Sequence, residues 1–135
     1  MNKFSRLAQL LTVATVILIL LWGCWKPGEN FDALAYAGCV FSISGTPIDQ
    51  IRERTWQAAK EKVPPEALAW WQQGAYREAV TKDDQVFNEQ LSLYGNRKLF
   101  LGLGWLLSKI GFNPFSALFA VSWLSGSLAL LLACW

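Results

Sequence analysis

The residues best suited to chemistry in this chain are acidic. Asp32 stands in Glu29-Asn30-Phe31-Asp32-Ala33-Leu34-Ala35-Tyr36, with a tyrosine four positions further on. On a helix that spacing puts the carboxylate and the phenol on one face. A carboxylate so placed could act as a general base or bind a cation or a sugar. The alternative for Asp32 is structural, as the cap of a short helix from Ala33. Asp83-Asp84, in Thr81-Lys82-Asp83-Asp84, reads as a helix start. Arg97-Lys98 borders an apolar stretch and could meet lipid phosphate or serve as an interfacial anchor.

Several chemistries are closed off by residue type. The chain has no His, which removes the commonest general base and the commonest metal ligand together. No serine therefore has a histidine to activate it. There is no Walker A loop, and Gly102-Leu103-Gly104 lacks the third glycine of a dinucleotide motif and follows no strand. No cofactor and no metal site is expected. The net charge of +2 is small and no Lys/Arg cluster is present, so nucleic acid is not an expected partner. Cys24 and Cys39 could form a disulfide in an oxidising compartment, or all three cysteines could be unpaired apolar thiols.

The elements that must position these groups follow from where charge is missing. No charged residue occurs from Leu7 to Trp25 or from Pro114 to Trp135. Each apolar run is about 20 residues, enough to cross a bilayer. The expected architecture is an all-α membrane protein with two transmembrane helices flanking a helical extracytoplasmic loop that carries a short interfacial helix. Its parts are a cytoplasmic leader at 1–6, a first span at 7–25, a loop at 26–98, an interfacial or re-entrant helix at 99–111 and a second span at 114–135. Lys3 and Arg6 favour a cytoplasmic N-terminus, and Trp22 and Trp25 fall at the outer interface. Leu21-Trp22-Gly23-Cys24 resembles a lipobox, which leaves a lipoprotein anchored at Cys24 as an alternative.

Within the loop, Thr46-Pro47-Ile48-Asp49 predicts a helix with Thr46 as its cap and Ile48, Ile51, Thr55 and Ala58 or Ala59 on one face. Pro64-Pro65 stops it. Pro65 starts another through Trp70 and Trp71, closed by Gly74. A third begins at Asp83-Asp84 and ends near Gly95-Asn96. These helices show little continuous apolar face, so a modest core is expected, with Trp56, Trp70, Trp71 and Tyr76 against the membrane surface or further protein. Gly111 then suits a helix C-terminus, Asn113 an N-cap and Pro114 a first turn. In the second span Ser122, Gly126, Ala129 and Ala133 share one face, on which another transmembrane helix could approach closely. Leu118 interrupts that face one turn earlier.

The order of features resembles the opening of the GT-C fold. GT-C proteins are polytopic, lipid-phosphosugar-dependent glycosyltransferases such as the protein mannosyltransferases and the aminoarabinose transferase of lipid A. The resemblance rests on F-D-A-L-A-Y-A-G near residue 31, F-N-E-Q-L-S-L-Y-G-N-R-K-L-F near residue 87, and L-L-S-K-I-G-F-N-P. It extends to bacterial multi-pass proteins with an Asp-x-x-x-Tyr element after the first span and a Tyr-x-x-(Arg/Lys)-Pro-Leu-Tyr element before the short helix. Lys98 stands where Pro is usual, and Phe100 where Tyr is usual. The resemblance implies that Asp32 activates the acceptor nucleophile, and that Tyr36, Tyr94 and Arg97 bind substrate, with Arg97 facing the phosphate of a polyprenyl-phosphate sugar. It implies a bacterial cytoplasmic (inner) membrane location. It also implies that activity needs later spans, so the chain reads as the N-terminal part of such an enzyme, inactive alone. The competing expectation is a complete two-span subunit that works by interaction or assembly, without catalysis.

Overall fold

A computed structural model of the chain describes residues 10–18 and 30–133. Among the described residues the fold is all helical, with no strand. Residues 10–18 form α1. There follow α2 (Asp32–Ile43), α3 (Ile48–Lys62), α4 (Pro65–Trp71), α5 (Ala75–Lys82), α6 (Asp84–Tyr94), α7 (Lys98–Lys109) and α8 (Pro114–Ala133). One described helix is long and apolar enough to cross a membrane: Pro114–Leu132, 19 residues with a mean hydropathy of 1.9. The first expected span, 7–25, lies partly outside the described residues, and α1 is its described part. Two spans were expected, and among the described residues one helix meets the length and composition needed.

The chain divides into two compact units, Glu29–Phe119 and a second joining Met1–Gly28 with Ala120–Trp135. The first unit is built around α2, which touches α3, α6 and α7. Leu34, Ala35, Ala37, Gly38, Cys39 and Val40 are all buried, as befits a helix that is apolar on every side. Small residues let its neighbours close in. A Cβ on Gly38 would lie 2.7 Å from Leu91 and 3.0 Å from the Phe87 ring on α6. A Cβ on Gly104 of α7 would lie 2.7 Å from Leu118, on the second turn of α8.

This core corrects the expectation of a loop with little to bury. Trp71 is fully buried, and Trp56 nearly so. The Trp71 ring meets Phe31 at 6.2 Å, Trp56 at 6.4 Å and Phe115 at 6.3 Å, so four separate segments share one aromatic cluster. Each loop helix contributes only a few apolar positions, and none shows a long stripe by itself. Trp70 and Tyr76 are exposed, and Trp70 lies under the Arg77 guanidinium at 3.8 Å.

Local signals set most helix ends. The Asp83 carboxylate accepts from the backbone N–H groups of Gln85 (2.8 Å) and Val86 (3.3 Å), capping α6. Asn113 Oδ1 accepts from Phe115 N–H at 3.0 Å at the start of α8. Gly111, at φ +102°, closes α7: its N–H bonds Ser108 O, and Phe112 N–H bonds Leu107 O. That pair of bonds is the Schellman pattern, which needs a left-handed residue where glycine is cheapest. Two expectations differ from the structure. Thr46 does not cap α3, because Pro47 occupies the N-cap position and no side chain caps it. Residues 75–82 form a helix, α5, that periodicity does not reveal, since Val80 is its one buried residue.

Candidate functional site

Asp32 opens α2 but does not cap it, as no side-chain cap bond is made at Phe31. The polar tie there is made by Asn30, whose Oδ1 accepts from Asp32 N–H at 3.0 Å. The Asp32 carboxylate is thereby left for another partner. Tyr94, the last residue of α6, donates its hydroxyl hydrogen to Asp32 Oδ1 at 2.7 Å. Contact between α2 and α6 brings these residues together, and the close approach at Gly38 permits it.

Tyr36 sits one turn along α2 on the same face. Its ring meets Tyr94 edge to face at 4.9 Å and Phe100 of α7 at 5.4 Å. The Arg97 guanidinium lies 5.2 Å from the Tyr36 centroid, within range of a cation–π contact. The four residues implicated by the resemblance, Asp32, Tyr36, Tyr94 and Arg97, therefore form one cluster. Phe100 completes it, at the position where the sequence departs from a tyrosine. Asp32, Tyr36, Tyr94 and Phe100 are half-buried, and Arg97 is exposed. Among the described residues Arg97 makes no ion pair and Asp32 Oδ2 takes no hydrogen bond.

The electrostatics of the pair are one-sided. Tyr94 is pushed up to about 12, chiefly by its hydrogen bond to the carboxylate, with burial and the Asp32 charge adding to it. Tyr94 is thus a fixed donor across the neutral range. The arrangement offers one carboxylate oxygen held by a phenol, one oxygen free, and a guanidinium nearby. Those are parts suited to accepting a proton from a hydroxyl and to meeting a phosphate.

The remaining candidates lie elsewhere. Asp84 pairs with Arg52 at 2.6 Å, and Arg52 also donates to Thr81 O, so these charges join α3 to the α5–α6 turn. Ser122 and Gly126 line an apolar groove with Val16, Trp123, Ser127 and Leu130. Among the described residues nothing would meet a Cβ on Gly126 within 4 Å, and Ala129 is exposed. The side chain of Ala133 and all of Cys24 lie outside the described residues. Cys39 is a free, buried thiol, pushed up to about 11 by burial and placed 3.5 Å from Leu91 O. No group of three or more metal-ligating side chains occurs among the described residues. Compared with known proteins, the chain matches no family model, no curated protein and no solved structure.

Proposed function

We propose that this chain serves as the membrane-anchored first-loop part of a GT-C-like, lipid-phosphosugar-dependent transferase of a bacterial inner membrane. In this reading Asp32 is the carboxylate on the acceptor side, Tyr94 orients it, and Arg97 meets the phosphate of a polyprenyl-phosphate sugar. One observation carries the reading. Asp32 and Tyr94, 62 positions apart, are joined at 2.7 Å in one cluster with Arg97, which makes no ion pair among the described residues, although Asp32 had a capping role open to it. A purely structural Asp at a helix start is expected to bond its own first turn. Membrane anchorage is supported by α8, whose apolar window is only 22% buried, unlike the core helix of a soluble fold. Helices outside this chain supply the remaining walls of a substrate cavity.

The test is binding of undecaprenyl phosphate to the full chain in lipid nanodiscs, read by native mass spectrometry. Binding that falls about tenfold in Arg97→Ala supports the reading, in line with loss of one charge-assisted contact. Equal binding by wild type and variant sinks it.

A second reading has its own observation. The open groove at Ser122 and Gly126 would accept another transmembrane helix, as an assembly subunit requires. Replacing Gly126 by Leu would then abolish a stable association, and an unchanged oligomeric state would remove the reading.

A further inference from the structure

α7 is buried on one side only. Leu101 and Gly104 face the interior of their unit, against Val40 and Leu118. On the opposite side Leu99, Leu103, Leu106 and Ile110 follow at steps of four, three and four, which places them on one stripe. They are 79%, 42%, 54% and 69% exposed, and Phe112, just beyond the helix, is 50% exposed. Single exposed leucines need no explanation, but an unbroken apolar stripe does.

Charge says what covers it. Arg97 and Lys98 stand at one end of α7 and Lys109 at the other. From Gln90 to Trp135 these three are the only charged side chains, and all are positive. Lys98 has no partner among the described residues, and Lys109 lies 5.5 Å from the Trp105 ring. An apolar stripe ended by cations and free of acids matches a surface with an apolar interior and negative headgroups.

Depth follows from chain continuity. α7 has 12 residues. A helix of that length runs about 18 Å, too short to cross a hydrocarbon layer of about 30 Å. Only the four residues 110–113 separate Lys109 from the start of α8 at Pro114. Where α8 spans, that short connection keeps the end of α7 near the membrane surface at which α8 begins.

We infer that α7 rides in the surface of an anionic bilayer, with Leu99, Leu103, Leu106 and Ile110 in the acyl boundary and Lys98 and Lys109 at the lipid phosphates. This rests on the membrane-anchored reading and adds a location to it. The α7 surface sets Arg97, the residue just before its first turn, level with the phosphate plane. A long lipid carrier then presents its phosphate to the Asp32–Tyr94 pair without leaving the bilayer.

The full chain, with Cys24, Cys39 and Cys134 replaced by Ala, receives a nitroxide at Leu106→Cys, at Leu124→Cys on α8 or at the exposed Lys60→Cys as an aqueous control. Each is reconstituted at one copy per nanodisc of phosphatidylcholine and phosphatidylglycerol, and collision with oxygen and with a water-soluble nickel chelate is measured. The inference expects the Leu106 label to favour oxygen, as Leu124 does and Lys60 does not. Nickel access at Leu106 equal to that at Lys60 overturns it, and shielding from both reagents overturns it in favour of a protein cover. A Leu124 label open to nickel overturns it together with membrane anchorage. A lipid-exposed Leu106 with no Arg97-dependent polyprenyl-phosphate binding keeps this inference and removes the transferase reading.

Should the cysteine-free chain fail to fold, Leu106 is replaced by benzoylphenylalanine with the cysteines intact. A lipid adduct on irradiation supports the inference, and a protein adduct overturns it. The charge half is read from the preference for spin-labelled phosphatidylglycerol over phosphatidylcholine next to the protein. Lys98→Gln with Lys109→Gln should lower that preference, by at most about fivefold per lysine at low salt. An unchanged preference overturns the role given to the lysines.

Discussion

The Tyr94 hydroxyl donates to Asp32 Oδ1 at 2.7 Å, tying the last residue of α6 to the first residue of α2. The bond fixes the phenol beside a carboxylate at the start of the helix around which the unit is built. Among the described residues the second carboxylate oxygen takes no hydrogen bond, so the pair holds a structural contact and an open acceptor in the same place.

The pair has a titration signature. Ionising Tyr94 would lose the hydrogen bond and put two negative charges together, which is why the phenol is pushed up to about 12 from 10.0. The folded state thus keeps a proton that the unfolded chain has lost between those values. The contact contributes fully below about pH 10 and is lost as pH rises towards 12. We predict that the phenolate absorbance of Tyr94 appears only well above pH 10, and that Asp32→Asn lowers its midpoint towards 10.0. A late phenolate component that Asp32→Asn leaves unmoved, with the fold intact by circular dichroism, would overturn the assignment. Tyr94→Phe is expected to cost about 1 kcal/mol at neutral pH, since the site is half-buried.

Trp70 and Trp71 are adjacent in sequence and opposite in environment. Trp71 is fully buried among Phe31, Trp56 and Phe115, whereas Trp70 is 46% exposed under Arg77. We predict that Trp71→Ala destabilises the helical unit by about 3–5 kcal/mol, as large core truncations do. Trp70→Ala should cost about 1 kcal/mol, the scale of an exposed cation–π contact. Urea denaturation of the two variants checks this. Equal midpoints would mean that the aromatic cluster does not organise the core.

Much of the punctuation of this fold is written in single residues. Asp83, Pro65, Gly111 and Asn113 act locally, through their own backbone or one hydrogen bond, and so can be read from the chain. The core is harder to read because it is assembled from distant pieces. α2 has no polar face to give it a period, and Trp71 finds its partners at residues 31, 56 and 115. α5 is held by Gly74 and by the Lys82–Glu78 pair at 2.5 Å, with almost no apolar signal. At the candidate site, Asp32 and Tyr36 share a helical spacing that the sequence displays. Their pairing with Tyr94 and Arg97 came only from the resemblance, since no local pattern links positions 62 apart. Phe100 had no signal at all beyond standing where a tyrosine is usual.

Two glycines hold open the close contacts of α2 and α7. We predict that Gly104→Ala destabilises the unit, because its Cβ would fall 2.7 Å from Leu118 Cδ2 and 3.3 Å from its Cγ. Overpacking of this kind costs about 1–3 kcal/mol, against about 1 kcal/mol gained in helix propensity. Gly102, on the same helix with nothing within 4 Å, is the control. Gly102→Ala should stabilise by up to about 1 kcal/mol. Thermal melts of the two variants moving in the same direction would show that α7 does not pack as described.

Cys39 tests whether α2 is buried in solution. Its thiol is pushed up to about 11 from 9.0 by burial, and the residue is 5% exposed. At pH 8 the thiolate is the reactive form. The higher value lowers its population about a hundredfold relative to an open thiol, before any steric protection is added. With Cys24 and Cys134 replaced by Ser, Cys39 is the one thiol left to react. We predict that a disulfide reagent labels it at least about a hundred times more slowly than the same chain in denaturant. Raising the pH from 8 to 10 should speed the folded-state reaction while the unfolded rate levels off near its own value of 9.0. The sign follows from the raised value: the folded thiol is still protonated in a range where the unfolded one is not. Labelling at the denatured rate would mean that α2 is open to solvent, and the core around it would have to be drawn differently.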